Sequence, residues 1–418
     1  MVISGRRARS RLPSAGGGPD RHPPDLVLGA AAIGLSLFGL VAVHSATRGP
    51  AGDLSFTGRQ AVFLISGVAV MTVVGRAAPG RLRGAAPALV VATAVVLLLV
   101  LSPLGTEVRG TRGWLQVGSL SLQPAEPAKV ALAVTLAALF TTRRRRGDGA
   151  RALTTRFLAA VLVVAAMSAL VLAGGETGSV LVYVSAALGV FAAADVPKRL
   201  IGLLLASVLL GGALLLTSDV LEPYQRERLE AFVDLDADPL GAGYNQRQSL
   251  TAIGSGGLSG KGLFNGPQTQ LRYLPEQQTD FIFAVVGEEL GFVGALAIVV
   301  LEGLILHRIL AVAKTASDPF GSLVCAGIFS SLAFQVVQNV AMNLRLLPVT
   351  GIPLPFVSYG GSSLLASFAA VGIVQSVARH RMGNRAAPEL VCPGQGLYAV
   401  GERERGSLPS RLATGWAR

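Results

Sequence analysis

Ten apolar runs dominate this chain. They lie at about residues 25–46, 60–77, 84–103, 125–142, 157–173, 178–196, 199–217, 281–307, 319–344 and 361–379. Several approach or exceed the ~20 residues an α-helix needs to cross the hydrocarbon core of a bilayer. Lipid offers the backbone no hydrogen-bond partners, so runs of this length satisfy their own N–H and C=O groups by folding as helices. Charged residues make up 14% of the chain, against roughly 25% in an average soluble protein. The fold expected is all-α: a polytopic membrane protein with about ten transmembrane helices and one large polar loop, 218–280, between the seventh and eighth. The first run lacks a small-residue cleavage pattern and is expected to be a retained helix.

The net charge is +12. In a soluble protein such a value would suggest nucleic acid, but in a membrane protein the placement of the charges carries the meaning. With the N-terminus inside, 25 of the 36 Lys and Arg residues fall on the cytoplasmic side. That bias predicts cytoplasmic termini, with residues 1–24 a disordered tail and 381–418 a second tail. It places the loops 104–124 and 218–280 outside, where there is no ATP. Chemistry there needs a substrate with its own leaving group, or an ion gradient, and no nucleotide. The four histidines and two cysteines all lie outside the loop 218–280, which excludes a His/Cys zinc site or a Cys–His nucleophile pair in it.

The candidate functional residues gather at the predicted outer edge. Asp280 immediately precedes the eighth run, where a carboxylate serves equally as a helix cap or as a general base at the membrane surface. Glu288 and Glu289 lie inside that run, and intramembrane carboxylates are functional candidates by default. On a continuous helix Glu288 sits about 12 Å deeper than Asp280 and is turned about 80° from it, making it the better partner for a shared cavity. A buried structural hydrogen bond is the alternative. Glu126 and Lys129 are spaced i,i+3 at a helix start, as an ion pair or with the lysine free to meet a pyrophosphate. Trp114 anchors its loop or contacts substrate. The dense Pro/Gly stretch 348–363 places Ser358 and Tyr359 where they can orient a polar group, and Arg345 just before it is a candidate phosphate ligand.

Two lookalikes fail. Gly254 to Gly262 misses a phosphate-binding loop at Ser255 and Gly262, and the Asp234, Asp236, Asp238 series has Pro239 where a calcium loop requires Gly.

Four blocks together resemble one family: Gly110-Thr-Arg-Gly-Trp114 with Gln123-Pro-Ala-Glu-Pro-Ala-Lys129; Pro223-Tyr-Gln-Arg226 with Gly241-Ala-Gly-Tyr244 through Gly262; Pro275-Glu-Gln-Gln-Thr-Asp-Phe281 with Gly287-Glu-Glu-Leu-Gly291; and Pro348 to Ser363. From about residue 25 to 380 the chain resembles the SEDS (shape, elongation, division and sporulation) proteins, its RodA branch more than its FtsW branch. The resemblance implies a glycosyltransferase C-like membrane domain over 25–380. It implies a peptidoglycan glycosyltransferase that polymerises lipid II at the outer face of the cytoplasmic membrane for elongation and shape, beside a class B penicillin-binding protein that acts as transpeptidase. The family's essential aspartate falls on Asp280, as general base or metal-coordinating carboxylate. The leaving pyrophosphate needs positive charge, from Lys261, Arg226, Lys129 and Arg345 or from a divalent cation such as magnesium or manganese.

This sequence departs from the family pattern at several positions. Gly113 stands where Arg is common, Ala125 where Ser is usual, Glu176 where the family has Asp, and Arg345 where it has a small residue. Three other functions remain in view: a lipid II flippase or other transporter, a catalytically weak scaffold, and a division-specific polymerase. No internal repeat of the kind that builds transporters is present.

Overall fold

The structure is a computed structural model. It describes residues 22–48, 55–108, 111–118, 120–141, 150–217 and 242–380. Each of the ten apolar runs is helical. The first three form α1 (Leu26–Thr47), α2 (Ser55–Arg76) and α3 (Pro79–Leu101). A three-stranded antiparallel sheet follows, β1 (Gly105–Val108), β2 (Thr111–Val117) and β3 (Leu120–Leu122), in the order β1-β2-β3. The next helices are α4 (Ala125–Thr141), α5 (Ala150–Ala173), α6 (Thr177–Ala193) and α7 (Lys198–Thr217). The described part of the long polar loop folds as α8 (Ala242–Gly256) and the single turn α9 (Pro267–Gln270). The chain then continues through α10 (Ile282–Glu289), α11 (Gly291–Thr315), α12 (Pro319–Asn343) and α13 (Gly361–Arg379).

Among the described residues, seven helices are long and apolar enough to cross a membrane: α1, α2, α3, α5, α11, α12 and α13. The protein is a multi-pass membrane protein. α4 and α6 have 17 residues each, which is about 25 Å of helix against a hydrocarbon core of about 30 Å.

The eighth run is two helices, not one. Gly291 has φ +65, a conformation from which side chains are largely barred. A Cβ there would also collide with the backbone at Leu258 and Gly260. The backbone groups freed by the break are taken up by residues 257–262. Lys261 N–H donates to Glu288 O at 3.1 Å and Gly262 N–H to Glu289 O at 2.9 Å, while Phe292 N–H donates to Gly257 O at 2.9 Å. Irregular backbone at this depth is stable because the protein itself supplies the partners.

At the opposite end, Asp25 closes the bundle. Its Oδ1 accepts from Leu28 N–H and caps α1. Its Oδ2 accepts from Arg308 Nη2 at 2.6 Å and Nε at 3.0 Å. The Gln375 amide donates to Asp25 O and accepts from Asp25 N–H, both at 2.7 Å. One residue therefore ties α1 to α11 and α13.

Between these ends, small residues let backbones approach, the usual solution where lipid removes the hydrophobic drive between helices. α2 packs most extensively on α13. At Gly39 of α1 a Cβ would stand 2.6 Å from Val357 Cα, so α1 lies directly on the irregular segment that leads into α13.

Candidate active site

The polar segments between helices converge at the end where α4, α6, α10 and α13 begin. They enclose a cavity of about 290 Å³. Trp114 of β2, Gln123, Glu176 before α6, Glu276 and Asp280 before α10, Thr350 and Tyr359 before α13 all line it.

Asp280 is placed by its backbone. It lies in a turn, where its N–H donates to Glu276 O at 3.1 Å. Its carbonyl oxygen accepts from both Asn339 Nδ2 and Asn343 Nδ2, each at 3.1 Å. These two buried asparagines sit one turn apart on α12. Asn339 also donates to Ile352 O at 2.8 Å. Ser358 Oγ donates to Thr279 O at 2.6 Å and accepts from Leu354 N–H at 2.9 Å, and Tyr359 N–H donates to Gln278 O at 2.8 Å. The Asp280 turn is thereby fastened to α12 and to the 348–360 segment.

Because Asp280 is not on a helix continuous with Glu288, the helical offset expected between them does not hold. Glu288 does not line the cavity that Asp280 lines. It is fully buried and accepts from Lys261 Nζ at 3.1 Å, Gln268 N–H and Thr269 N–H at 2.9 Å, and Thr269 Oγ1 at 2.8 Å. It thereby caps α9. Glu289 points to α1 instead and accepts from Ser45 Oγ at 2.6 Å.

The remaining candidates divide in the same way. Trp114 and Tyr359 line the cavity with Asp280. Lys129 Nζ donates to Glu126 Oε2 at 2.6 Å with both side chains buried, the i,i+3 ion pair. Ser358 is buried and committed to backbone groups. Arg345 follows α12 with φ +57 and is not among the residues lining the cavity. Arg226 lies outside the described residues.

Sequence reasoning passed over four contributors. Asn339 and Asn343, polar residues at i,i+4 inside an apolar run, carried a readable signal. Thr350 Oγ1 is buried and has no hydrogen-bond partner among the described residues. Glu176 was visible only as a departure from the family pattern. Its carboxyl accepts from Ser179 Oγ at 3.0 Å, and burial raises its pKa from the ordinary 4.5 to about 7, with nearby Glu126 adding to the effect and Gln123, Ser179 and Lys129 opposing it. Three carboxyl side chains line the cavity, and no Lys, Arg or His is among its described lining residues.

An apolar groove of about 500 Å³ opens beside this cavity between α2, α3, α4 and α13, lined by residues such as Val74, Leu89, Val130 and Ala369. Gln123 and Ser362 line both spaces, and Gln123 N–H donates to Ser362 Oγ at 2.8 Å. A polar chamber and an apolar channel sharing a wall suit a molecule with a polar head and a long hydrocarbon tail.

Known proteins share this architecture. The pattern of a family described as "Cell cycle protein", grouping FtsW, RodA and SpoVE, matches residues 26–383. The chain belongs to the FtsW/RodA/SpoVE family. This SEDS chain is 37% identical over 330 residues to the peptidoglycan glycosyltransferase MrdB of Escherichia coli K12, covering 79% of this chain and 87% of that one. The rod shape determining protein RodA of Thermus thermophilus superposes with a TM-score of 0.63 at 30% identity, over 86% of this chain and 98% of that one. A chain from a peptidoglycan synthase complex that coordinates polymerization and crosslinking gives a TM-score of 0.70 at 32% identity, over 86% and 99%. Within this SEDS chain, the Asp280 turn, the cavity and the groove meet in one place.

Proposed function

We propose that this chain is a peptidoglycan glycosyltransferase that polymerises lipid II at the outer face of the cytoplasmic membrane. The observation that carries the reading is the shared wall at Gln123 and Ser362 between the carboxyl-lined cavity and the apolar groove. The cavity takes the sugar–pyrophosphate head and the groove takes part of the polyprenyl tail. The relatives named as peptidoglycan glycosyltransferases support the same reading.

Asp280 acts as general base. It takes the proton of the acceptor sugar 4-hydroxyl as that oxygen attacks C1 of the donor. The C1–O bond to phosphate breaks, and the electron pair leaves with the polyprenyl pyrophosphate. Held by its carbonyl on α12, Asp280 needs little reorganisation to meet the hydroxyl. Among the described residues no three His, Cys, Asp or Glu side chains converge as metal ligands; a magnesium or manganese ion would be held here by one or two carboxylates together with the substrate's phosphates.

The Lys/Arg distribution supports cytoplasmic termini and an external cavity. The synthase complex supports a crosslinking partner, which we assign as a class B penicillin-binding protein.

The test is reconstitution of the chain with such a transpeptidase and labelled lipid II, comparing wild type with Asp280→Asn by gel. Glycan ladders from the wild type alone, with both complexes intact, are expected. Ladders from both proteins would remove Asp280 as base. No ladder from either would overturn the polymerase reading, and a liposome flipping assay would then separate transport from scaffolding.

A further inference from the structure

Gly113 and Glu176 are fitted to each other. Glu176 is the residue before α6, and its carboxyl lies against the backbone of β2 at Gly113. A Cβ on residue 113 would collide with Glu176 Oε1. The neighbouring backbone is equally close: Gly174, two residues earlier, would meet Arg112 O at 2.7 Å if it carried a Cβ, and Arg112 N–H donates to Gly174 O at 2.9 Å. The β2 strand and the α5–α6 turn are therefore locked together, and the Glu176 carboxyl occupies the space that a side chain on residue 113 would take.

The carboxyl so placed forms part of the wall of the cavity that holds Asp280. Two other carboxyl groups, Glu276 and Asp280, line that cavity from the segment before α10. From α4, Glu126 and Lys129 act on Glu176 with opposite sign and are already paired with each other. Arg112 of β2 borders the small crevice behind Glu176. The Tyr183 phenol, on α6 itself, is close enough to feel its charge and donates to Ala125 O. From α3 and α5 the neighbours are apolar: Leu97, Val100, Leu101 and Val171. A phosphorylated head group entering this chamber meets carboxyl groups and no described cation.

We propose that Glu176 is a substrate-binding residue that meets the head group as a neutral carboxylic acid, and that Gly113 gives its carboxyl the room to reach the cavity. The neutral acid donates a hydrogen bond to a phosphate or sugar oxygen. Its ionisation replaces that donor with a negative charge facing the phosphates and weakens binding. The inference rests on the polymerase reading for the identity of the head group, and it adds a pH dependence belonging to binding. Half-ionisation near pH 7 sets the window: the binding-competent form predominates at pH 6 and is a minor species at pH 8.

The test compares wild type, Glu176→Gln and Glu176→Asp in nanodiscs. Binding of fluorescent lipid II is read by anisotropy, and KM and kcat for polymerisation are read from pH 6 to 8.5. Apparent wild-type affinity should fall about tenfold between pH 6 and pH 8, following the neutral fraction. Glu176→Gln, which cannot ionise, should show no such fall, so the wild-type to variant ratio of KM rises with pH while the ratio of kcat stays flat. Gly113→Ala should weaken binding with Glu176 present, and the shorter Glu176→Asp should relieve that defect. Parallel KM profiles for wild type and Glu176→Gln would overturn the proposal, as would a pH-independent loss confined to kcat. Binding that follows this pattern without any ladder would leave the inference standing and remove the polymerase reading. Ladders without the pattern would do the reverse, and a wild type that neither binds nor polymerises at any pH would overturn both.

Discussion

The side-chain amide of Asn339 donates to the carbonyl oxygen of Asp280 at 3.1 Å, from 59 residues further along the chain. With Asn343 it pins the Asp280 turn to α12. Asn339→Ala should lower kcat by about 10- to 100-fold with a smaller change in KM, because the base is misplaced but the binding surface remains. Asn343 still donates to Asp280 O, but the Ile352 carbonyl loses its Asn339 donor and should cost about 1–3 kcal/mol of stability if it stays unsatisfied. Steady-state kinetics beside thermal unfolding of the purified variant separates the two effects.

Glu126 and Lys129 form a buried pair at 2.6 Å. Lys129→Met strands a buried carboxylate and should destabilise the protein by about 3–5 kcal/mol. The double change Glu126→Gln with Lys129→Met should cost less than the sum of the single changes, as expected for a directly coupled pair. Unfolding midpoints of the four proteins decide the matter. A rise in KM for lipid II with no loss of stability would instead make Lys129 a pyrophosphate ligand.

The groove between α2, α3, α4 and α13 can be blocked without touching the cavity. Ala369 lines it on α13. Ala369→Trp should raise KM for long-chain lipid II by about tenfold, the loss of roughly 1.4 kcal/mol of apolar contact. A lipid II analogue with a short prenyl chain should be much less affected. Equal loss on both substrates would show that the groove does not receive the tail.

Glu176 also links pH to stability. Its folded pKa, about 7, lies above the ordinary 4.5. Between those values the folded chain keeps a proton that the unfolded chain has released. Stability from this group is therefore fully present below about pH 4.5, falls as pH rises toward 7, and is flat above. The slope is at most about 1.4 kcal/mol per pH unit. Glu176→Gln should remove that slope, which unfolding midpoints measured from pH 5 to pH 8 will show as a difference between the two proteins.

Much of this was legible in the residues. The ten runs are all helical, and the turn carrying Asp280, the pairing of Glu126 with Lys129 and the importance of the 348–363 stretch could be anticipated from spacing and local chemistry. The break at Gly291 could not. Apolar residues flank it on both sides, so hydropathy reads one uninterrupted helix, and the cause is hydrogen bonding from residues 257–262. Glu288 parts from Asp280 for another reason: Asp280 lies in the turn before α10, while Glu288, inside α10, is taken by Lys261 and Thr269.

Glu176 shows the same division. In sequence it is one methylene more than the family's aspartate, and Gly113 is one side chain fewer, 63 positions apart with no visible connection. Only the packing of β2 on the α5–α6 turn makes them a matched pair. Sequence alone determined the solvent this chain folds in and the helices that follow from it, because lipid obliges the backbone to satisfy itself locally. The tertiary structure decided which carboxyl groups share the cavity and which are spent on structure, because that depends on contacts between distant segments that local hydropathy does not encode.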